Sequence, residues 1–173
     1  FNKNNIDNLE NNTAIIYRNY KKKDHVKEIK KIKKYCKNNG IKFYLSNDIK
    51  LSINLNLDGA YIPSFNNSYK HLSYKFKTNF DLIGSAHNLK QIRVKETQKV
   101  KLIFLSSLFK KNKNYLGINR FKNMAKLTRK KIIALGGVSI ENLKKLKLVK
   151  CYGFGGIGYF SKKKGPISRA FWI

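Results

Sequence analysis

Short apolar runs alternate with amphipathic segments along nearly the whole chain. The runs are rich in β-branched and aromatic residues, as buried strands are. They predict strands over residues 14–18, 42–46, 59–62, 80–87, 101–106, 132–137 and 152–158. The segments between them carry apolar residues on one helical face and lysines on the other. Helices are predicted over residues 24–38, from Asp48 onward, from Asn66 or Asn67 to Phe76, and over residues 89–97, 119–128 and 140–146.

This alternation predicts the fold class. Strands separated by helices pair in parallel, because a parallel neighbour needs a crossover connection. Seven such strands are one short of a (β/α)8 barrel. The sequence therefore predicts an α/β fold, a single (β/α)8 TIM barrel over residues 1–173, with a first strand that is truncated or lies at the extreme N-terminus and ends at Phe1 and Asn2. A doubly wound open sheet is the alternative that the pattern leaves open.

The predicted strand ends are polar or rich in glycine almost throughout. In a parallel barrel the chemistry lies at the carboxyl ends of the strands. The residues at these ends are Arg18, Asn47, Asp48, Pro63, Ser64, Ser85, His87, Ser106, Ser107, Gly136, Gly137 and 156–158. These positions are the candidate functional residues of the chain.

The last two predicted strands end in glycine-containing pairs that can form turns, Gly136-Gly137 and Ile157-Gly158. Glycine lets backbone N–H groups approach an anion closely, and the last two strand ends of a barrel frequently form a phosphate site. The turns therefore predict a phosphate site, although tight turns alone would also explain the glycines. If the turns bind phosphate, a bulky residue at Gly137 is expected to weaken phosphate binding and leave the fold intact.

Charge is the one unusual feature of the composition. The chain has 38 Lys and Arg against 9 Asp and Glu, a net charge of +29. A basic surface for nucleic acid would explain this excess, and so would a general compositional bias towards Lys, Asn, Ile, Tyr and Phe. The excess is nearly all Lys, scattered over the predicted helices, whereas Arg is the better residue for bidentate phosphate or guanine contacts. Nucleic acid is therefore not the expected partner.

The rest of the composition is that of an ordinary globular protein. Hydrophobic residues make up 42% of the chain, and no apolar run approaches the roughly 20 residues that a membrane span needs. Cys36 and Cys151 are too few for a disulfide framework and have no metal-type neighbours. We therefore expect a cytoplasmic protein with no membrane partner, and a homo-oligomer remains open.

Six strand-end motifs follow one another in a fixed order. They are Tyr17-Arg18, Ser46-Asn47-Asp48, LDGAYI over residues 57–62, IGSAH over 83–87, FLSSLF over 104–109 and IALGGV over 133–138. In this order and at these spacings the chain, from about Ala14 to Phe160, resembles the thiamine-phosphate synthase superfamily, which also holds the thiazole tautomerases. The resemblance implies a (β/α)8 barrel that binds phosphorylated small-molecule substrates.

The resemblance also implies a reaction and a set of site residues. Enzymes of this family join an aminopyrimidine diphosphate to a thiazole phosphate in thiamine biosynthesis, with Mg²⁺ on the diphosphate that leaves. The matching positions are Arg18 and Ser85 for diphosphate contacts, Asn47 and Asp48 for the Asn-Asp pair with Asp48 as metal ligand, Gly136, Gly137, Ile157 and Gly158 for the thiazole phosphate, and Lys113 as the nearest candidate for a clamping lysine.

Departures from the family pattern leave the function open. Phe65 and Asn66 replace an acidic pair that includes a second metal ligand, and Tyr20 replaces a lysine. Ser107 stands where the tautomerases have their catalytic histidine. Two alternatives to the synthase therefore remain, a catalytically reduced relative that binds a phosphorylated ligand, and a nucleic-acid-binding module.

Several candidate residues have two interpretations each. His87 is a candidate catalytic acid or base, or a histidine that hydrogen-bonds locally at the start of a helix. Asp48 is a metal ligand, a helix N-cap or both. Tyr17 and Tyr61 fill the barrel or line a pocket that stacks a ring. His25 and His71, on predicted helices, are expected at the surface.

Overall fold

Seven parallel strands form the curled α/β sheet of a TIM-like barrel. The structure, a computed structural model, describes residues 12–20, 25–156, 159 and 169–172. Its strands are β1 (Thr13–Tyr17), β2 (Lys42–Ser46), β3 (Gly59–Ile62), β4 (Asp81–Ala86), β5 (Leu102–Ser106), β6 (Lys131–Leu135), β7 (Gly153–Gly156) and β8 (Arg169–Trp172). From β1 to β7 each strand pairs in parallel with the next, so the seven predicted strands are confirmed. This consecutive order excludes a doubly wound sheet.

The eighth strand corrects the predicted barrel. β8 lies between β7 and β1 and is antiparallel to both, so the sheet is not a closed ring of eight parallel strands. A C-terminal strand thus occupies the place where an N-terminal strand was expected. The predicted strand end at Phe1 and Asn2 lies outside the described residues. The sequence analysis did not predict β8, because it looked for strands that alternate with helices and predicted no helix between β7 and β8.

The helices cover the outer face of the sheet. They are α1 (Val26–Asn38), α2 (Ile49–Asn54), α3 (Leu89–Thr97) and α4 (Gly117–Lys126), with 3₁₀ helices over Lys70–Ser73 and Ile140–Leu148. In α1 the buried residues are Ile29, Ile32 and Cys36, as its apolar face predicts. Burial raises the pKa of the Cys36 thiol to about 12, which keeps it protonated and unreactive. Asp24, where this helix was predicted to begin, lies outside the described residues. Among the described helices, none is long and apolar enough to cross a membrane.

Strand side chains alternate between the barrel interior and the helices. The interior cluster consists of Ala14, Ile16, Tyr44, Tyr61, Ile83, Leu102, Phe104, Ile133 and Leu135. Tyr61 meets Phe104 edge-on at a centroid distance of 5.7 Å, so Tyr61 fills the barrel. Tyr17 does not, because it packs outward under α1 and its hydroxyl donates to Glu28 Oε2 at 2.9 Å. In each strand, the residue two positions after the last interior residue also points inward, and it lies at the mouth of the barrel.

The predicted helix from Asn66 or Asn67 to Phe76 is wrong, and a buried network explains why. The ammonium of Lys95, which is fully buried, donates to the Asn66 carbonyl and to Gln98 Oε1, both at 2.7 Å. Gln98 Nε2 donates to the carbonyls of Asn66 and Ser68 at 3.0 and 2.9 Å. The Asn66 carbonyl is thus bound by α3 and its C-terminal cap instead of starting a helix. Only a short 3₁₀ helix forms in this connection.

His71 completes the attachment of the β3–β4 connection to α3. It is 3% exposed, and its Nε2 lies 3.0 Å from the Gln98 carbonyl, so the expectation of a surface histidine is wrong. A carbonyl oxygen only accepts, which assigns the proton of this bond to Nε2. The connection is therefore fixed at both Asn66 and His71.

We predict that Lys95 makes folding stability depend on pH. Burial lowers the pKa of Lys95 to about 8, below the roughly 10.4 of an unfolded lysine. Between these values the unfolded chain binds more protons, so stability rises with pH there and is lowest where Lys95 is charged in both states. The free energy of unfolding of the parent relative to Lys95→Met should rise with pH across this window, by up to roughly 1.4 kcal/mol per pH unit.

Urea unfolding of both proteins at several pH values measures this difference. Lys90→Met, which removes an exposed lysine from the same helix, is the control and should show no such trend. If the difference in unfolding free energy between the parent and Lys95→Met does not change from about pH 8 to about pH 10, burial does not lower the pKa of Lys95 and the prediction is wrong.

Candidate functional site

The predicted site residues meet at one rim because parallel strands end at the same edge of the sheet. Arg18 follows β1, Asp48 follows β2, Ser85 lies near the end of β4, and Gly137 follows β6. The predicted shared mouth is thereby confirmed, and the role of each residue stays a prediction. Ile157 and Gly158 lie outside the described residues.

The sequence analysis named Ser106 among the strand ends and Ser46 within a motif, but it did not predict that both side chains point into the barrel. Ser46 ends β2 and Ser106 ends β5, and both are buried at 6% exposure. Each comes two residues after an interior aromatic, Tyr44 or Phe104. Because alternate residues of a strand share a face, this spacing was the signal that could have found them.

Arg18 is held at the rim by an aromatic neighbour. Its guanidinium lies over the Tyr20 ring, 4.9 Å from the centroid, a cation–π contact. The Tyr20 hydroxyl and Ser46 Oγ are 2.7 Å apart, and Phe65 meets the Tyr20 ring edge-on at 5.9 Å. Tyr20 and Phe65, both departures from the family pattern, therefore form an exposed aromatic pair that positions the arginine. Sequence reasoning missed this pair because its members come from different loops.

His87 makes a hydrogen bond to the end of β5 that defines the tautomer of its ring. Nδ1 lies 2.9 Å from the Ser106 carbonyl oxygen and 3.0 Å from Ser106 Oγ. Since the carbonyl can only accept, Nδ1 carries a proton and Nε2 is the basic nitrogen of the neutral ring. This bond reaches Ser106, 19 residues later in the chain, so it is not a local bond at the start of the helix. It orients the ring, and the role of His87 as an acid or base stays a prediction.

Asp48 caps the N-terminus of α2, as the N-cap interpretation predicted. Its Oδ1 accepts from the Leu51 N–H at 2.9 Å, which satisfies one free donor of α2. The neighbouring Asn47 is exposed and adopts a left-handed φ of 65°, which asparagine tolerates well. Its Oδ1 accepts from Asn66 Nδ2 at 2.8 Å, so the β2 and β3 ends are joined by an amide pair.

Among the residues that the sequence predicts for the site, the carboxylate available to magnesium is that of Asp48. Asn66 takes the place of a second acidic ligand, and its Oδ1 already accepts from the Ser68 N–H at 2.8 Å. In the described part of the chain no group of three or more His, Cys, Asp or Glu residues could hold a metal ion. Mg²⁺ usually binds one or two carboxylates together with substrate phosphates and water. The donors therefore fit a metal ion that arrives with a diphosphate, and not one caged by protein alone.

Lys113 belongs to the loop that follows β5. It is exposed on the β5–α4 connection and, together with His87, lines a cleft of about 480 Å³. The described contacts of the mouth do not include it.

The β6 turn requires glycine for its packing. Gly136 and Gly137 have φ values of 100° and 78°, in the region that side chains strain. A Cβ at Gly136 would lie 2.4 Å from Ser107 Oγ, and one at Gly137 would lie 2.6 Å from the Lys110 nitrogen. The expectation that a bulky residue at Gly137 leaves the fold intact is therefore wrong. The N–H groups of Phe109 and Lys110 donate to the Gly136 carbonyl at 2.8 and 3.1 Å, which closes this contact.

The same turn still has donors for an anion. Among the described residues, no acceptor is bonded to the N–H of Gly137 or of Val138. Tight turn and phosphate site are thus compatible explanations of the glycines, and the phosphate role stays a prediction.

We predict a large stability difference between two glycine substitutions at neighbouring strand ends. Gly136→Ala adds a Cβ against Ser107 in a left-handed backbone and should cost about 2–4 kcal/mol, from backbone strain and overpacking together. Gly156→Ala is the matched control, since its Cβ would have no neighbour closer than 3.6 Å. It should change the free energy of unfolding in urea by under about 1 kcal/mol. Equal stability of the two variants would contradict the packing described for the β6 turn.

Comparison with known proteins adds to this geometry. Residues 8–158 match the family described as thiamine monophosphate synthase. Comparison with curated proteins gave no match. Among solved structures, thiamine phosphate pyrophosphorylase from Pyrococcus furiosus is similar with a TM-score of 0.66 and 13% identity, over 80% of this chain and 68% of that chain.

Two further structures share the fold. A cube-shaped, highly porous protein cage designed by fusing symmetric oligomeric domains has a TM-score of 0.61 and 11% identity, over 82% of this chain and 51% of that one. Citrate synthase SbnG has a TM-score of 0.58 and 8% identity, over 82% and 75% of the two chains. Structural likeness at these identities shows the fold alone. The family match spans residues 8–158 of 173, and the chain therefore belongs to the thiamine monophosphate synthase family.

Proposed function

We propose that the chain is a thiamine-phosphate synthase, which joins an aminopyrimidine diphosphate to a thiazole phosphate and releases diphosphate. The observation that supports this proposal is that Arg18, Ser85 and His87 lie at the carboxyl ends of strands in a family barrel, on the rim to which the glycine turn of β6 also belongs. These residue types supply a permanent cation, a hydroxyl donor and a titratable ring to an anionic substrate.

In the proposed reaction the thiazole nitrogen attacks the methylene carbon of the pyrimidine. Its lone pair forms the new C–N bond, while the C–O bond to the diphosphate breaks and its electron pair leaves with the diphosphate. Negative charge therefore develops on the leaving group. Arg18 and the Ser85 hydroxyl would stabilise that charge, because hydrogen bonds to an ionised partner are the strong ones. Nε2 of His87 would hold or release a proton at the leaving diphosphate.

The remaining rim residues have supporting roles in this proposal. Asp48 would hold Mg²⁺ together with the diphosphate, and the ion would add charge neutralisation at the leaving group. The Gly137 and Val138 N–H groups would bind the phosphate of the thiazole. Tyr20 would keep the guanidinium of Arg18 at the rim through the ring contact already described.

A second candidate is a family member that binds the phosphorylated ligand without turnover. The specific observation in its favour is Asn66, an amide in place of the second carboxylate, whose side chain is engaged with Asn47 and Ser68. The replacement of a lysine by Tyr20 removes a further cation from the diphosphate end. Such a chain would keep the phosphate turn and lose the charge that drives the leaving group out.

The first test is formation of thiamine phosphate from the two substrates and Mg²⁺. Arg18→Gln should lower kcat/KM by about 100-fold, in the range found when a donor to transition-state charge is removed. Arg129→Gln, a change at an exposed arginine on another part of the surface, should leave the rate unchanged. Binding of thiazole phosphate without product would favour the second candidate, and absence of both binding and product would refute both.

The second test concerns the metal ion and does not depend on turnover. Titration calorimetry should show that Mg²⁺ binds at least about 10-fold more tightly when inorganic diphosphate is present, because the proposed site supplies one carboxylate, that of Asp48, and the diphosphate supplies further oxygen ligands. Asp48→Asn should abolish that gain. Asparagine is as good an N-cap as aspartate, so the stability of this variant should be nearly that of the parent. Unchanged Mg²⁺ affinity in Asp48→Asn would remove Asp48 from the metal site.

A further inference from the structure

The part of the β3–β4 connection that reaches the rim has little hydrophobic support. Residues 64–70, all of which the structure describes, include no buried residue, and Phe65 is 59% exposed. Segments with few buried apolar contacts open easily. The position of this segment at the rim therefore depends on the polar groups that bind it.

Two buried side chains at the C-terminal end of α3 bind this exposed segment. Lys95 and the capping residue Gln98 both donate to the Asn66 carbonyl, at 2.7 and 3.0 Å. Gln98 Nε2 also donates to the Ser68 carbonyl at 2.9 Å, and Lys95 donates to Gln98 Oε1 at 2.7 Å. Hydrogen bonds made by buried groups are electrostatically stronger than those in water. These bonds are therefore well suited to fix the segment from the outer side of the barrel.

Asn66 connects these bonds to the end of β2. Its N–H donates to the Pro63 carbonyl at 3.0 Å and closes a four-residue turn, and its Nδ2 donates to Asn47 Oδ1 at 2.8 Å. Asn47 has a left-handed φ of 65° and directly precedes Asp48. An uncommon backbone conformation persists only where the surrounding structure holds it. The Asn66 amide is one of the groups that hold Asn47, and it thereby helps to place Asp48.

Phe65 provides a second connection, to the end of β1. It is the third residue of the same turn, and its ring meets the Tyr20 ring edge-on at 5.9 Å. Tyr20 in turn lies under the guanidinium of Arg18. A shift of the Asn66 carbonyl would move Phe65 away from Tyr20. The hydroxyl contact of Tyr20 with Ser46 would remain, so this connection is the weaker of the two.

We propose that Lys95 and Gln98 are positioning residues for the diphosphate end of the mouth, which act through Asn66. Packing of α3 does not require a lysine at a fully buried position, because an apolar residue of similar volume would fill the space without the cost of burying an ammonium. What the lysine adds is a donor that reaches the Asn66 carbonyl. This inference rests on the proposed function, since it assigns the network a role in binding Mg²⁺ and diphosphate.

NMR signals of the rim test the positioning without any ligand. Lys95→Met and Gln98→Leu should each shift the signals of the Asn47 amide and the Tyr20 ring. Ile92→Val is the matched control, because it removes one buried methylene from the same helix and no hydrogen-bonding group. It should lower stability and leave both signals unchanged.

Either network variant can overturn the proposal in this comparison. Circular dichroism shows whether Lys95→Met folds, and Gln98→Leu decides alone if it does not. The proposal is wrong if the folded variants leave the Asn47 and Tyr20 signals as they are in the parent. It is also wrong if Ile92→Val shifts them equally, since any destabilisation of α3 would then have the same effect.

Calorimetry with Mg²⁺ and inorganic diphosphate tests the consequence for binding. Lys95→Met should weaken diphosphate binding by about fivefold or more, about 1 kcal/mol. The loss should be at least about twofold smaller in an Asn66→Ala background, because effects of residues that act through one another are not additive. Asn66→Ala keeps the carbonyl that Lys95 binds and removes only the amide that reaches Asn47.

The outcomes separate this proposal from the proposed function. Equal losses in the two backgrounds would show that Lys95 does not act through Asn66 and would overturn the positioning role, whereas diphosphate binding by the parent would still support the proposed function. A parent that does not bind diphosphate would contradict the proposed function. The NMR signals of Asn47 and Tyr20 would then decide by themselves whether the network positions the rim.

Discussion

Filling the interior of a curled parallel sheet is the constraint on which the rest of this structure depends. Side chains alternate along each strand, so the register that places Ile16 and Ile83 inside also places Arg18 and Ser85 at the mouth. A slip of one residue in a strand would turn its core residues outward and remove its rim residue together. The same alternation of side chains along the strands therefore specifies both the core and the site, so a change of register would disrupt both.

Long-range polar bonds then fix the loops that the strands leave behind. The β3–β4 connection is tied to α3 through Lys95 and Gln98, and it carries Phe65 and Asn66 to the rim. Burying an ammonium without a carboxylate partner is costly, but an apolar residue at position 95 would leave its two acceptors, the Asn66 carbonyl and Gln98 Oε1, without this donor. The cost is consistent with a network that specifies where the loop lies more than it adds stability. The hydrogen bonds to α3 therefore fix the β3–β4 part of the rim.

The local sequence pattern was sufficient to predict most helices and strands, but it could not predict which distant residues they contact. The bounds of α3 and the Asp48 cap could be predicted, because spacing and N-cap chemistry lie within a few neighbouring residues. The sequence could not show that no helix starts at Asn66, because the residues that bind the Asn66 carbonyl, Lys95 and Gln98, come about thirty positions later in the chain. The antiparallel β8 was missed for a related reason, as its neighbours β1 and β7 are set by topology and not by its own sequence. In the site, rim positions followed from strand ends, whereas the contact of Tyr20 with Phe65 joins two loops.

The net charge of +29 shows why geometry must decide which cations matter. With 9 acidic residues against 38 basic ones, most cations have no carboxylate to pair with, so an unpaired cation is no sign of a site by itself. Isolated surface charges also lose their influence within about a Debye length. Arg18 is distinguished by its surroundings, because its guanidinium lies over the Tyr20 ring at the mouth of the barrel. In such a basic chain selectivity for an anion comes from the fixed backbone and the apolar neighbours around a cation, because the charge alone is available almost everywhere on the surface.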